Sequence, residues 1–135
     1  MKRIIYIFLS ATLLLSCQKA DDNGELGGFW KLLSIENSAT GIVENTKEYK
    51  RFWCIQLDLL TTVSEEDDGY FNNYSGIGRF QHVGDSLFVQ MIEKRTDLTK
   101  VGIHNPENER FGVVLLNSDK MILRSDKVQL DFRKF

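Results

Sequence analysis

The run FGVVLLNSDKMILRSDKVQLDFRKF, residues 111–135, decides the fold of this chain. It holds three short segments rich in β-branched and apolar residues, at positions 111–116, 120–124 and 127–133. The Asn-Ser-Asp triplet at 117–119 and the Ser-Asp pair at 125–126 separate them, and both are turn-forming sequences. Three short β-prone segments divided by two short turns predict consecutive antiparallel strands.

Five more strand-like segments precede this run, at residues 28–35, 48–63, 70–83, 87–92 and 98–103. None of them repeats apolar residues at helical spacing. Eight sequential strands with short connections favour an antiparallel meander, and closure into a barrel removes the exposed edges that a meander leaves. The sequence therefore predicts an all-β protein, an eight-stranded antiparallel up-and-down barrel. A two-sheet sandwich is the alternative.

Two local patterns refine this arrangement. The segment 48–63 alternates apolar and polar residues, which predicts one half-buried strand across its whole length. Gly84 and Asp85 form a two-residue connection between neighbouring segments, which is typical of a hairpin.

The first 16 residues have the features of an export signal. Lys2 and Arg3 precede an apolar run over residues 4–15, which has the length of a signal-peptide core and is too short to span a bilayer. The sequence LLSC at 14–17 resembles a bacterial lipobox, which implies that Cys17 becomes the lipidated first residue. We expect residues 1–16 to be a signal peptide, 17–27 to be the lipidated cysteine and a polar tether, and 28–135 to be the barrel domain.

Lipidation determines where the protein is expected to reside. A cysteine that carries more than one acyl chain attaches stably to a membrane, so we expect an outer-membrane lipoprotein of the cell envelope held by its anchor on Cys17. The sequence QKADD at 18–22 resembles the surface-export signal of Bacteroides-type lipoproteins. A plain solvated tether is the alternative interpretation of the same residues.

Composition limits the class of partner. The chain has 135 residues, 42% hydrophobic and 27% charged, which fits one globular domain. Removal of Lys2 and Arg3 with the signal peptide leaves 15 basic and 19 acidic residues, a net charge of −4, so nucleic acid is not an expected partner. With Cys17 lipidated, Cys54 has no partner within the chain, and its apolar surroundings predict a buried free thiol. We expect a monomer.

Both ends of the expected domain carry a family resemblance. Gly28-Phe29-Trp30 resembles the Gly-x-Trp opening of lipocalins, and residues 121–126 and 130–135 resemble the closing hairpin of small uncharacterised lipocalin-like lipoproteins from Bacteroides-type bacteria. The resemblance implies that Trp30 plugs the closed end of the barrel. It also implies that a late-strand arginine, Arg133 or Arg124, packs across that tryptophan.

Alternation also predicts the contents of the barrel. An eight-stranded barrel either fills with side chains or holds one small ligand. The predicted inward residues are Trp30, Leu32, Trp53, Ile55, Leu57, Leu59, Phe80, Leu87, Val89, Met91, Val113, Leu115, Met121, Leu123, Val128, Leu130 and Phe132. Such bulky residues fill most of the interior, so any pocket is expected to be shallow and near the open end.

Aromatic and polar residues occur together at one candidate mouth of the barrel. Tyr70, Asn72 and Tyr74 combine aromatic rings with hydrogen-bonding groups, as small-molecule sites do, and they are the predicted ligand-binding residues. The alternative is a tyrosine-rich hairpin end without a ligand.

Residues that carry catalysis are scarce. His82 and His104 are the only two histidines, and neither they nor the cysteines have the spacing of a zinc site. The acidic run at 65–68 lacks the ligand spacing of a calcium loop, and the chain has neither a phosphate-binding loop nor a nucleophile elbow. We expect no catalytic residue, no metal and no cofactor, and a protein that is not an enzyme.

Two classes of function stay open. The first is a membrane-anchored, non-enzymatic binding domain for a small or lipidic ligand. The second is a structural or interaction module, an assembly subunit or an inhibitor, that binds another envelope protein. A continuous apolar cavity favours the first class, and a filled barrel with an exposed apolar patch favours the second.

Overall fold

A computed structural model describes residues 23–64 and 74–135 of the chain. Its strands form one antiparallel sheet in the order β2-β1-β3-β4-β5-β6-β7-β8-β9, which closes through an additional pairing of β1 with β9. The strands are β1 (Gly28–Asn37), β2 (Val43–Asn45), β3 (Phe52–Gln56), β4 (Leu59–Val63), β5 (Gly76–Val83), β6 (Ser86–Lys94), β7 (Glu109–Leu116), β8 (Lys120–Arg124) and β9 (Val128–Lys134).

Closure gives eight strand positions around the barrel. One edge of β1 pairs with β9, and the other pairs with β3 near the start of β1 and with the short β2 near its end. The strands β2 and β3 therefore share one position in the ring. The predicted eight-stranded antiparallel barrel is confirmed, whereas β2 is a strand that the sequence analysis did not find.

The prediction of one strand over residues 48–63 is wrong. The chain reverses at Leu57-Asp58, so the segment forms the hairpin of β3 and β4. Leu57 takes a positive φ of 56° there, and both Leu57 and Leu59 are exposed instead of facing inward. Leu60 and Thr62 are buried in their place.

The segment 98–103 is likewise not the predicted strand. Residues Leu98–Val101 form a 3-10 helix, which Asp97 caps by accepting a hydrogen bond of 3.0 Å from the backbone N–H of Thr99. Gly102 ends the helix with a φ of 89°. Leu98, Val101 and Ile103 are buried in the core, so this segment fills one end of the barrel.

The interior is one continuous hydrophobic cluster. The Trp53 ring lies 5.5 Å from the Phe111 ring and 5.0 Å from the Phe132 ring, measured between centroids. Phe80, Met91 and Val113 are only partly buried against this cluster. Of the predicted inward residues, Leu57, Leu59 and Leu115 are exposed, and those fully in the core are Trp30, Leu32, Trp53, Ile55, Leu87, Val89, Met121, Leu123, Val128, Leu130 and Phe132.

The barrel has two distinct ends. We call the end where β1 begins, beside the turns β3–β4, β5–β6 and β7–β8, the N-terminal end, and the other end the opposite end. The predicted hairpin at Gly84-Asp85 is confirmed at the N-terminal end, where Val83 pairs with Ser86. The predicted strand at 70–83 is described from Gly76 onward as β5, and residues 70–73 lie outside the described part of the chain.

Candidate functional site

Trp30 lies inside the N-terminal end of the barrel. It is fully buried, and its indole N–H donates a hydrogen bond of 2.8 Å to the backbone carbonyl of Leu26. The cation over its ring is Lys134, whose Nζ lies 4.2 Å from the ring centroid. The structure places Arg133 elsewhere: its side chain is exposed, because alternation along β9 turns it outward. Arg124 also lies outside and donates a hydrogen bond of 3.0 Å to Gln129.

Lys134 closes the N-terminal end around Trp30. Its ammonium group donates a hydrogen bond of 3.1 Å to the carbonyl of Glu25 and another to the carbonyl of Gly27. Burial lowers the pKa of the Lys134 amine, while the nearby Glu25 carboxylate opposes that shift. These contacts hold the residues before β1 across the end of the barrel, so the part of the core beneath them is covered.

The predicted ligand-binding residues fall partly outside the described chain. Tyr70 and Asn72 lie in the segment 65–73, which the structure does not describe. Tyr74 lies at the opposite end, where its hydroxyl donates a hydrogen bond of 3.1 Å to Glu93 and the Arg95 guanidinium lies 4.0 Å from its ring centroid. The contacts of Tyr74 are those of a surface ion-pair cluster, since Arg95 also contacts Glu93 at 3.2 Å.

The described residues provide little for catalysis. Cys54 is a free, half-buried thiol, and burial raises its pKa, which disfavours the nucleophilic thiolate. His82 and His104 are both exposed. Within residues 23–64 and 74–135, no three His, Cys, Asp or Glu side chains converge closely enough to hold a metal ion. In the same ranges, no helix has the length and apolar character that a membrane span needs.

A groove of about 730 Å³ crosses the outer face of the β5–β6 hairpin. Its floor includes Arg79 and Gln81 of β5 with Phe88 and Gln90 of β6, and these four side chains are exposed. Arg79 pairs with Gln90 across the ladder, and Gln81 pairs with Phe88. Cross-strand partners project from the same face of a sheet, so the pairing register brings these four groups together.

Two acidic residues stand at the limits of the groove. Asp58, on the β3–β4 turn, lines one limit, while Glu107 and Asn108, in the loop before β7, line the other. A smaller cavity of about 280 Å³ shares Asp58 and Phe80 with the groove and extends it toward the N-terminal end. The groove and the cavity together extend from the loop before β7 to the β3–β4 turn.

Arg79 and Phe88 present exposed side-chain surface to the groove. Across the described residues, the Arg79 guanidinium makes no ion pair and no side-chain hydrogen bond. Phe88 is 37% exposed, so part of its ring faces the groove. An aromatic ring with amide, guanidinium and carboxylate groups around it can contact a flat apolar surface while hydrogen-bonding its polar edges.

This groove does not follow from the sequence alone. Outward alternation in β5 and β6 marks Arg79, Gln81 and Phe88 as surface residues, but it does not show that they are neighbours. Their proximity depends on the hairpin register. The walls of the groove include the β3–β4 turn, and a single strand over residues 48–63 has no turn there.

The chain belongs to the lipocalin-like domain family, whose model matches residues 12–135. It is similar in structure to a lipocalin-like protein from Bacteroides uniformis, with a TM-score of 0.69 and 19% identity over 83% of this chain and 100% of that one. An uncharacterised protein from Bacteroides eggerthii matches with a TM-score of 0.64 and 17% identity, over 81% of this chain and 98% of that one. No curated protein matches the sequence.

Proposed function

We propose that this protein is a lipid-anchored, non-enzymatic binding domain that holds a small ligand in the groove across β5 and β6. The observation that carries the proposal is the contrast between the two faces of the wall. The inner face packs into a continuous core that includes Trp53, Phe111 and Phe132, while the outer face presents an open groove of about 730 Å³. That volume lies within the usual range for small-molecule sites, about 300–1,000 Å³.

The lining of the groove defines the chemistry of the ligand. Phe88 supplies one apolar surface, and Gln81, Gln90 and Asn108 supply amide donors and acceptors. Arg79 supplies a cation that favours a carboxylate or another acceptor-rich group. The ligand we propose is therefore a small polar molecule with one flat apolar face. A long acyl chain does not suit these groups, because each polar group would lose hydration without a new partner.

The anchor rests on the sequence alone. Cys17 follows the lipobox-like LLSC run, and a lipid on it keeps the groove close to the cell envelope. Attachment at a membrane raises the local concentration of the binding domain wherever its ligand is released or taken up there. Lipidation of Cys17 and an outer-membrane location are both part of the proposal.

Native mass spectrometry tests the groove. Protein extracted gently from its own membrane is expected to carry a small-molecule mass. Phe88→Ala is expected to weaken retention of that mass about tenfold, because it removes a contact worth roughly 1–1.5 kcal/mol. Ile92→Ala is the matched control, since Ile92 is an exposed residue of the same strand that does not line the groove. Equal retention by both variants, or no small molecule on the wild type, would overturn the proposed site.

A protein partner is the second candidate, and the edge of β5 favours it. The strand β4 pairs with β5 only over residues 76–79, so within the described chain residues 80–83 have no strand partner on that side. An unpaired strand edge can accept a strand from another protein. In the same extraction, a co-purifying polypeptide in place of a small molecule would support this function as an interaction module.

A further inference from the structure

The exposed large apolar side chains of the described residues are concentrated at the N-terminal end. Eight of twelve lie there, within three residues of a strand end or in a turn, and seven of these do not line the groove: Phe29, Leu57, Leu59, Val83, Val114, Leu115 and Phe135. The exposed fraction is 62% for Val83, 58% for Leu57 and 53% for Val114. We call these seven residues the apolar rim. A bulge between Val113 and Leu115 in the pairing with β8 accompanies the exposure of two consecutive apolar residues in β7.

The chain enters the barrel beside this rim. Asn23 is the first described residue, and its side-chain amide donates a hydrogen bond of 2.7 Å to the carbonyl of Leu57. The Lys134 ammonium group also holds the residues that follow Asn23, because it donates a hydrogen bond of 3.1 Å to the carbonyl of Glu25. The point from which residues 1–22 lead away is thus fixed at the N-terminal end.

The length of the preceding chain limits how far this end can stand from a membrane. Cys17 is six residues before Asn23, so even a fully extended tether spans only about 20 Å. The ten-residue strand β1, tilted as barrel strands are, adds about 25 Å to reach the opposite end. The N-terminal end is therefore the one that a short tether keeps at the membrane surface.

We propose that the N-terminal end of the barrel docks on the lipid surface, with Leu57, Val83 and Val114 in contact with it. The inference rests on the proposed lipid anchor at Cys17. Exposed apolar groups gain stability at the membrane interface, and the anchor already confines them within reach of it. The occupant of the rim is the bilayer itself.

Charged groups at the same end limit the depth of this contact. Asp58, Asp85 and Asp119 occupy the three turns, and Lys120 follows the last of them. Carboxylates favour the headgroup layer over the hydrocarbon core, so the rim residues are expected to reach the interface without inserting deeply. Docking in this orientation leaves the Glu107 limit of the groove, in the loop before β7, on the solvent side.

Quenching by brominated lipid tests the docking. Acylated full-length protein carrying Val83→Trp is incorporated into phosphatidylcholine vesicles with or without brominated acyl chains. The matched control is Val43→Trp, because Val43 is 57% exposed at the opposite end. Subtracting wild-type emission removes the contribution of Trp30 and Trp53.

The expected result is asymmetric. Emission from Val83→Trp should fall by about half in brominated vesicles, as for an interfacial indole, while that from Val43→Trp stays unchanged. Adding Val114→Asp to the Val83→Trp protein should reduce the quenching, whereas adding Ile42→Asp at the opposite end should not. Ile42 is the most suitable control for the added charge, being 70% exposed.

The remaining outcomes separate docking from anchoring. Wild-type protein that neither incorporates a fatty-acid label nor floats with vesicles would overturn the anchor and the docking together. Protein that floats but shows equal quenching at Val83→Trp and Val43→Trp would overturn the docking alone. A blue-shifted Val83→Trp emission that brominated lipid does not quench would assign the rim to another protein surface, and would also overturn lipid docking.

Discussion

Replacing Trp30 with alanine tests how the N-terminal end of the barrel is held together. Trp30 is fully buried, and deleting a buried tryptophan side chain costs about 3–5 kcal/mol. The change also leaves the Leu26 carbonyl without the indole donor at 2.8 Å, which adds about 1 kcal/mol. Lys134 loses the ring beneath its ammonium group as well. We therefore expect Trp30→Ala to lower the free energy of unfolding by about 4–6 kcal/mol.

Thermal unfolding followed by far-ultraviolet circular dichroism measures this loss. For a domain of this size, about 4 °C of Tm accompanies each kcal/mol, so the expected fall in Tm is roughly 15–25 °C. Trp30→Phe keeps most of the apolar volume but lacks the N–H, so we expect it to lose only about 1–3 kcal/mol.

Phe29→Ala is the matched control for this prediction. Phe29 precedes Trp30 on the same strand but faces outward and is 45% exposed. Its ring packs against Phe52, with centroids 6.0 Å apart, so its removal is expected to cost about 1–2 kcal/mol, well below the loss for Trp30→Ala. If Trp30→Ala melts within a few degrees of the wild type, or if Phe29→Ala is equally destabilised, then Trp30 does not stabilise this end of the barrel.

Three further changes have distinct expected outcomes. Gly102→Ala should lower the free energy of unfolding by more than about 2 kcal/mol in urea titration, because at a φ of +89° its Cβ would lie 2.4 Å from a Leu130 methyl carbon. The control Gly41→Ala has a φ of +71° but open space around it, so it should cost only about 1 kcal/mol. Cys17→Ser should abolish fatty-acid labelling and retain residues 1–16, and equal labelling of mutant and wild type would refute lipidation at that cysteine. Hydrogen bonds from Thr99 lower the pKa of Asp97, so the stabilising effect of the Asp97 carboxylate is present above its unfolded pKa and is lost as pH falls through its folded pKa. The difference in free energy of unfolding between wild type and Asp97→Ala should therefore shrink on acidification, and a difference that stays constant with pH would contradict this prediction.

Local sequence was sufficient for the parts of the barrel that fold on short-range rules. The strands β7, β8 and β9 follow from short β-prone runs divided by a turn-forming triplet and a turn-forming pair. The hairpin at Gly84-Asp85 follows from a glycine that takes a φ of +57°. The burial of Trp30 also follows from its position in β1. In each case, the residues that specify the structure are adjacent in the chain.

The cation that covers Trp30 follows from strand alternation and not from the family resemblance. Phe132 was predicted to face inward, and strict alternation then turns Arg133 outward and position 134 inward. The structure has this arrangement, with Lys134 paired to Trp30 in the β1–β9 ladder. The family resemblance led toward an arginine, while the period of the strand identified the lysine.

Tyr70 and Asn72 lie outside the described residues, so the ligand contact expected of them stays a prediction.

Tertiary structure decided the remaining features. Leu57 has no turn-forming side chain, yet it takes a positive φ because pairing of β3 with β4 requires the reversal there. Residues 98–103 are as apolar as a strand, but they form a 3-10 helix because Leu98 and Val101 fill the end of the barrel. Arg79 and Phe88 become neighbours only through the β5–β6 register. The alternation of apolar residues and the turn-forming residues act over a few positions of the chain. Closure of the barrel, the filling of its end and the outer groove depend instead on contacts between residues far apart in the chain. Those contacts exist only after the strands have paired.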